Sequence, residues 1–229
     1  MSESRRERTT LFYRFAVWCT RLLLSLFSRW RVSGLEHVPM RGPLLVVCNH
    51  QSNADPPIVV AIMPRVLHCM AKQEVFDGPL RRLARWYGAF PVRRGQADRQ
   101  AIRTALDYLA NGSCVGMFPE GTRSQTGGLI RGRIGAGLIA VRSGAQVLPV
   151  AIAGTRQLKS LQALLRRPRV DITIGKPFTL RGQEAESRTA AAAAATETIM
   201  RRIAALLPPE LRGVYGDPAL AAGRGREAC

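Results

Sequence analysis

The sequence predicts an α/β fold: a single domain with a largely parallel central sheet flanked by helices, preceded by an N-terminal membrane-interface helix. Three observations carry this expectation. Short continuous apolar runs alternate with stretches of helical period, the pattern of a sheet buried on both faces and joined by crossover helices. Gly, Pro and Asn punctuate the runs. Near the N-terminus, LFYRFAVWCTRLLLSLF is apolar at helical length yet broken by arginines. The chain divides accordingly into residues 1–30, the amphipathic membrane-association helix; 31–207, the α/β domain; and 208–229, a loosely ordered C-terminal tail.

The elements follow in order. In the first helix, Leu11 to Phe27, Arg14 and Arg21 lie seven apart and share one side, with Ser25 and Ser28 near that line. Leu, Phe, Val and Trp fill the rest. A narrow basic stripe with Phe12, Phe15, Trp18 and Trp30 suits a helix lying in the membrane interface. The alternative is a helix that docks its apolar side on the domain. Leu44–Cys48 (LLVVC), between Gly42-Pro43 and Asn49, is a buried strand. Asp55 as N-cap and Pro56 in the first turn open a helix running to Met63. Val66–Met70 is a further strand. Residues 97–110 place apolar side chains at 101, 102, 105, 106 and 109 and stop at Asn111-Gly112, an amphipathic helix. Ser113–Phe118 reads as a strand and 135–143 as a helix ended by Gly144. Val147–Ile152 is a strand despite Pro149, which belongs at a strand edge or bulge. Val170–Ile174 is the last strand. Glu184–Leu207 is a long Ala-rich helix stopped by Pro208-Pro209.

Composition bounds the function. With 229 residues and 46% hydrophobic content, the chain can bury a core without disulfides or metals. Lys and Arg number 34 against 16 acids, a net charge of +18, which implies an anionic partner: nucleic acid, an anionic membrane surface or an acidic carrier. The alternative source of part of the excess is compositional drift, since Arg far outnumbers Lys and the C-terminal third is Ala-rich. Cys19, Cys48, Cys69, Cys114 and Cys229 form no CxxC pair and mostly sit in apolar runs, as expected of buried thiols in a reducing compartment. His37, His50 and His68 give no zinc pattern. No segment reads as a clean transmembrane span or a signal peptide. There are no repeats, no GxGxxG and no Walker A.

Four constellations carry chemistry, each following an apolar run. After the Leu44–Cys48 strand comes NHQSNAD, in which Asp55 follows His50 by five residues across a strand-to-helix turn. A carboxylate folded back onto Nδ1–H fixes the tautomer and leaves Nε2 to take a proton from a hydroxyl. The alternative is a plain N-cap and a turn histidine. The second is FPEGTRS, residues 118–124. Gly121 allows positive φ or close approach, Arg123 offers a planar fork for phosphate, and Glu120 holds a substrate hydroxyl or orients Arg123. A local Glu120–Arg123 pair in a turn is the alternative. The third runs from Lys72 to Gly95 and ends in GAFPVRRG, with Arg93 and Arg94 on a strand or loop. The fourth, LPVAIAGT (148–155), is a pocket wall or a plain core strand.

Together these blocks, in this order and spacing, resemble the lysophosphatidic acid acyltransferases, the bacterial 1-acyl-sn-glycerol-3-phosphate acyltransferases with an HxxxxD motif. The resemblance covers roughly residues 35–215, including the PPELRGVYG ending. It implies His50 as general base oriented by Asp55. It implies substrate phosphate and glycerol held by Lys72, Arg94, Glu120, Gly121, Thr122 and Arg123, with Val147, Leu148, Pro149 and Val150 as the acyl wall. It also implies an acyl-CoA or acyl carrier protein donor, a lyso-phospholipid acceptor, and no cofactor beyond that co-substrate. A related acceptor, glycerol-3-phosphate or a lyso-ornithine lipid, stays open. The incoming hydroxyl is the nucleophile, which leaves Cys48, two residues before His50, as a buried thiol. Residues 80–86 (LRRLARW) and 156–169 mix cations with Leu and Trp and look like feet on an anionic bilayer, or a solvated basic face. The expected location is the cytoplasmic face of the cell membrane, peripheral or monotopic. No nucleic-acid partner is expected, since no RRM, KH or helix-turn-helix signature occurs. A catalytically silent membrane-surface scaffold is the remaining class; His50, Asp55, Glu120 and Arg123 together argue against it.

Overall fold

The structure, a computed structural model, describes residues 11–93, 98–158, 160–180 and 187–216. Along the chain run α1 (Leu11–Phe27), β1 (Arg29–Ser33), β2 (Leu44–Cys48), α2 (Asp55–Ile62), β3 (Leu67–Lys72), α3 (Gln73–Asp77), α4 (Arg81–Trp86) and β4 (Phe90–Val92). There follow α5 (Arg99–Ala110), β5 (Cys114–Met117), α6 (Gly135–Ser143), β6 (Gln146–Ala153), α7 (Leu161–Leu165), β7 (Arg169–Ile174) and α8 (Arg188–Leu206). The seven strands form one sheet in the order β1-β7-β6-β2-β5-β3-β4. The five strands from β6 to β4 are mutually parallel; β7 joins β6 antiparallel and carries β1 parallel to itself. The carboxyl ends of β2, β3, β5 and β6 therefore share one edge of the sheet, where α/β folds build sites.

The apolar runs are continuous because both faces are covered. Leu45 and Val47 pack with Val115 and Val147 beneath α5, α6 and α8. Leu44, Val46 and Cys48 point the other way, into a second core with Ile58 and Val59 of α2 and Tyr13 and Leu24 of α1. Alanines dominate α8 because it lies close against α6: the backbone N–H of Gly137 donates to Thr196 Oγ1, and a Cβ on Gly137 would run into the Ala192 carbonyl. Ser187 caps the helix by accepting from the Ala190 N–H.

Several expectations change. Pro149 stands in a central strand, so of the two places expected for it, edge or bulge, it takes the bulge. Val150 pairs with Ile174 and Val147 with Phe178, so two residues on β6 face three on the neighbouring chain. The missing N–H falls at that bulge, as the ladder rules require. Residues 208–216, the head of the expected tail, pack on the domain in two 3₁₀ turns. There Leu129 donates to the Leu211 carbonyl and accepts from the Val214 N–H. Arg29–Ser33 adds an edge strand that sequence reasoning did not give.

The first helix combines the two readings weighed for it. One stripe of it, Tyr13, Ala16, Thr20 and Leu24, is buried, with Tyr13 and Leu24 in the core beneath. Arg21 does not sit on a free basic stripe: its Nε–H donates to the Ala61 carbonyl at the end of α2. Ser28 is 1% exposed, and its hydroxyl donates to the Leu24 carbonyl. Tyr13 Oη accepts from the Leu67 N–H. Docking by this side turns Leu11, Phe12, Phe15, Trp18, Leu22, Leu23 and Leu26 outward, each more than 40% exposed. Phe12 stacks on Trp86 of α4 at 5.0 Å, which joins that basic helix to the apolar face. Among the described residues, no helix is long and apolar enough to cross a membrane.

Candidate active site

Sharp strand-to-loop turns after β2, β5 and β6 build the site. The loop after β2 folds Asp55 back instead of letting it cap a helix. Asp55 is the first residue of α2, and Ala54 occupies the cap position. The Asp55 carboxylate is fully buried, and its Oδ2 accepts from the N–H groups of Gln51 and Ser52, both at 2.6 Å. The same oxygen lies 3.0 Å from His50 Nδ1. An ionised carboxylate only accepts, so Nδ1 carries the proton and Nε2 keeps its lone pair. Asp55 Oδ1 accepts from the Thr155 hydroxyl, 2.6 Å away at the end of β6. The His50 ring stacks on Phe118 at 4.3 Å. Asn49, one residue earlier, exchanges two hydrogen bonds with the Ile152 backbone, which clamps the loop to β6.

Glu120 has a different place from the one expected. It is 2% exposed and reaches neither solvent nor Arg123. Its Oε1 accepts the His50 N–H at 2.7 Å and its Oε2 accepts the Ile130 N–H at 3.0 Å. Burial pushes its carboxyl up to about 7, helped by the nearby Asp55 charge and opposed by the two N–H bonds. Glu120 is thus a buckle between three segments. Ser124 strengthens the same join, donating its N–H to the His50 carbonyl. Gly121 adopts φ +67°, and a Cβ there would strike the Arg133 stem. Thr122 and Arg123 are exposed, and among the described residues Arg123 makes no ion pair. Lys72 ends β3 on the same sheet edge, exposed and paired with Glu74 at 2.9 Å. Arg94 lies outside the described residues.

An apolar cavity of about 520 Å³ shares Phe118 with the dyad. Met70, Ile102, Leu138 and Ile139 line it, while Arg93, Asp98 and Arg133 supply its polar groups. Val147, Leu148, Pro149 and Val150 do not form this wall. Val147, Leu148 and Val150 are fully buried, because β6 has cores on both faces. Sequence reasoning missed Arg133 and the partnership of Thr155 with Asp55. The signal for Arg133 was weak, a Gly-Arg pair following the EGTRS loop. Arg156, counted among the membrane feet, instead donates to the Gln125 carbonyl and braces that loop. Cys48 is enclosed, and burial pushes its thiol well above the ordinary range, with the Asp55 and Glu120 charges adding to the effect.

A family model described as Acyltransferase matches residues 29–153, more than half of the chain. The chain belongs to the acyltransferase family. This acyltransferase is 30% identical over 175 residues to a 1-acyl-sn-glycerol-3-phosphate acyltransferase of Bacillus subtilis, spanning 72% of the chain and 82% of that relative. It is 38% identical over 143 residues to a lyso-ornithine lipid O-acyltransferase of Pseudomonas aeruginosa, covering 61% of the chain and 53% of that protein. The chain thus spans about half the length of that second relative. Its fold matches the 1-acyl-sn-glycerophosphate acyltransferase PlsC of Thermotoga maritima with a TM-score of 0.67 and 28% identity, over 90% of this chain and 83% of that one.

Proposed function

We propose that this acyltransferase moves a fatty acyl group from acyl-CoA or acyl carrier protein to the free hydroxyl of 1-acyl-glycerol-3-phosphate, making phosphatidic acid. One observation carries the reading: an enclosed His50–Asp55 dyad whose Nε2 has no partner among the described residues, stacked on a wall of an apolar cavity. The acceptor hydroxyl attacks the thioester carbonyl while His50 Nε2 takes its proton. The tetrahedral intermediate expels the thiolate, which leaves as the thiol with the proton from the imidazolium. Asp55 stabilises that imidazolium and stays ionised throughout. Cys48 takes no part, since a buried, undissociated thiol is a poor nucleophile. Arg123, Lys72 and Arg94 hold the acceptor phosphate, Arg133 adds a cation at the cavity, and the acyl chain lies among Ile102, Leu138 and Ile139.

The lipid acceptor resides in a membrane, and the apolar face of α1 suits that setting. Its large side chains rest in the interface while Arg81, Arg82 and Arg85 of the neighbouring α4 meet anionic head groups. The protein is then peripheral or monotopic on the cytoplasmic face.

A lyso-ornithine lipid is the second acceptor to weigh, because the relative of that name has the higher identity. Purified protein given labelled acyl-CoA or acyl carrier protein with lysophosphatidate, glycerol-3-phosphate and lyso-ornithine lipid, read by mass spectrometry, separates these readings. Labelled phosphatidic acid as the main product supports the first. Labelled ornithine lipid alone overturns it.

A further inference from the structure

The two oxygens of Asp55 are served by different parts of the fold. Oδ2 is occupied entirely by its own loop: the N–H groups of Gln51 and Ser52 and Nδ1–H of His50. Among the described residues Oδ1 has one partner, the Thr155 hydroxyl, 100 residues away in sequence. Both side chains are fully buried, so water cannot replace that donor. Thr155 opens a 3₁₀ turn just after β6, and Gly154 before it holds φ +93° with its Cα against the Arg169 backbone. That turn is therefore fixed by β7, and the hydroxyl is delivered from a rigid part of the sheet.

From this we infer that Thr155 is the positioning residue of the dyad, a third member acting through Asp55. By holding Oδ1, it fixes the plane of the carboxylate so that Oδ2 stays on the His50 Nδ1–H. Without it, a buried anionic oxygen lacks a donor, and the carboxylate turns or takes up a proton to relieve this. Either response frees the imidazole from its orientation and tautomer. Thr155 reaches no solvent and so touches neither substrate. Its loss acts on turnover and leaves binding alone.

The inference rests on His50 as general base, so its test has one arm that needs no turnover. The proteins are the full chain with Thr155→Val, which keeps shape and removes the hydroxyl, Thr155→Ala, and Thr155→Ser, which keeps the hydroxyl. The first readout is the downfield proton resonance of the His50 Nδ1–H in each purified protein. The second is kcat and KM with acyl-CoA and lysophosphatidate. In the Val and Ala variants the resonance moves or broadens away, and kcat falls about tenfold to a hundredfold with both KM values within about twofold. The Ser variant restores both. Failure of the wild type to transfer acyl groups would sink the functional reading alone, because the resonance still reports on the dyad. An unmoved resonance in the folded Val or Ala variant overturns the inference, as does a loss of kcat that Ser does not restore.

Discussion

The Glu120 carboxylate holds the backbone N–H of His50 at 2.7 Å with one oxygen and that of Ile130 at 3.0 Å with the other. The EGTRS loop is therefore part of the scaffold of His50, through an acid buried from solvent. Arg123, three residues on, projects from the same loop with no acidic partner among the described residues. One short segment thus buries an acid as a backbone brace and leaves a cation open to solvent.

Glu120→Gln separates them on the side of stability. The amide presents an NH₂ to one of two N–H donors, and the mismatch costs about 1–3 kcal/mol, or roughly 2–12 °C in Tm. Burial raises the folded-state carboxyl from 4.5 to about 7. Between those values the unfolded chain loses a proton that the folded protein retains, so the Glu120 contribution to stability falls as pH rises through this window. The stability difference between wild type and Glu120→Gln should be largest near pH 5 and shrink past pH 7. Thermal melts across pH 5–8 check this; a gap that widens with pH would contradict it.

Arg123→Ala should leave Tm unchanged, because no described residue depends on its side chain. It should raise the apparent KM for a phosphate-bearing acceptor about tenfold to a hundredfold, the value of a hydrogen bond to a charged group. Arg123→Lys should recover part of this, since lysine keeps charge but loses the fork. A neutral monoacylglycerol acceptor should be used equally well by variant and wild type. Equal damage with both acceptors would place Arg123 in the scaffold.

The membrane prediction must spare the core. Removing α1 would uncover Leu67 and the end of α2, which Tyr13 and Arg21 hold. Phe15→Glu and Trp18→Glu alter only outward positions, 57% and 58% exposed. Each should lower partitioning onto anionic vesicles about tenfold or more, the value of one large apolar side chain leaving an apolar phase. High salt should weaken the rest through the arginines of α4. Unchanged sedimentation of both variants at high salt would put the anchor elsewhere.

What the sequence made legible follows from range. β2, β5 and β6 are buried on both faces, so their apolar runs could be read directly. The His50–Asp55 pair spans five residues and so is visible locally, though the spacing gains its meaning only beside the other three blocks. β1 was hidden because an edge strand reading Arg-Trp-Arg-Val-Ser has no apolar run. Asp55 reads from the sequence both as a helix cap and as a carboxylate folded back onto His50; what decides between the two is the pair of N–H groups of Gln51 and Ser52 that donate to it. The roles of Glu120 and Thr155 depend on partners 70 and 100 residues away, and spacing along a chain does not reveal them. Val147 to Val150 matched the family's fourth block, yet only the sheet order shows β6 to be covered on both sides.

The central claim is that His50 removes the proton from the acceptor hydroxyl and that no enzyme thiol is acylated. The most direct measurement is the steady-state acyl-transfer rate of folded, vesicle-bound His50→Ala beside Cys48→Ala. The account predicts a loss of about 10²–10⁴ or more for His50→Ala and near-normal turnover for Cys48→Ala. Near-normal turnover in His50→Ala, or a comparable collapse in well-folded Cys48→Ala, would contradict it.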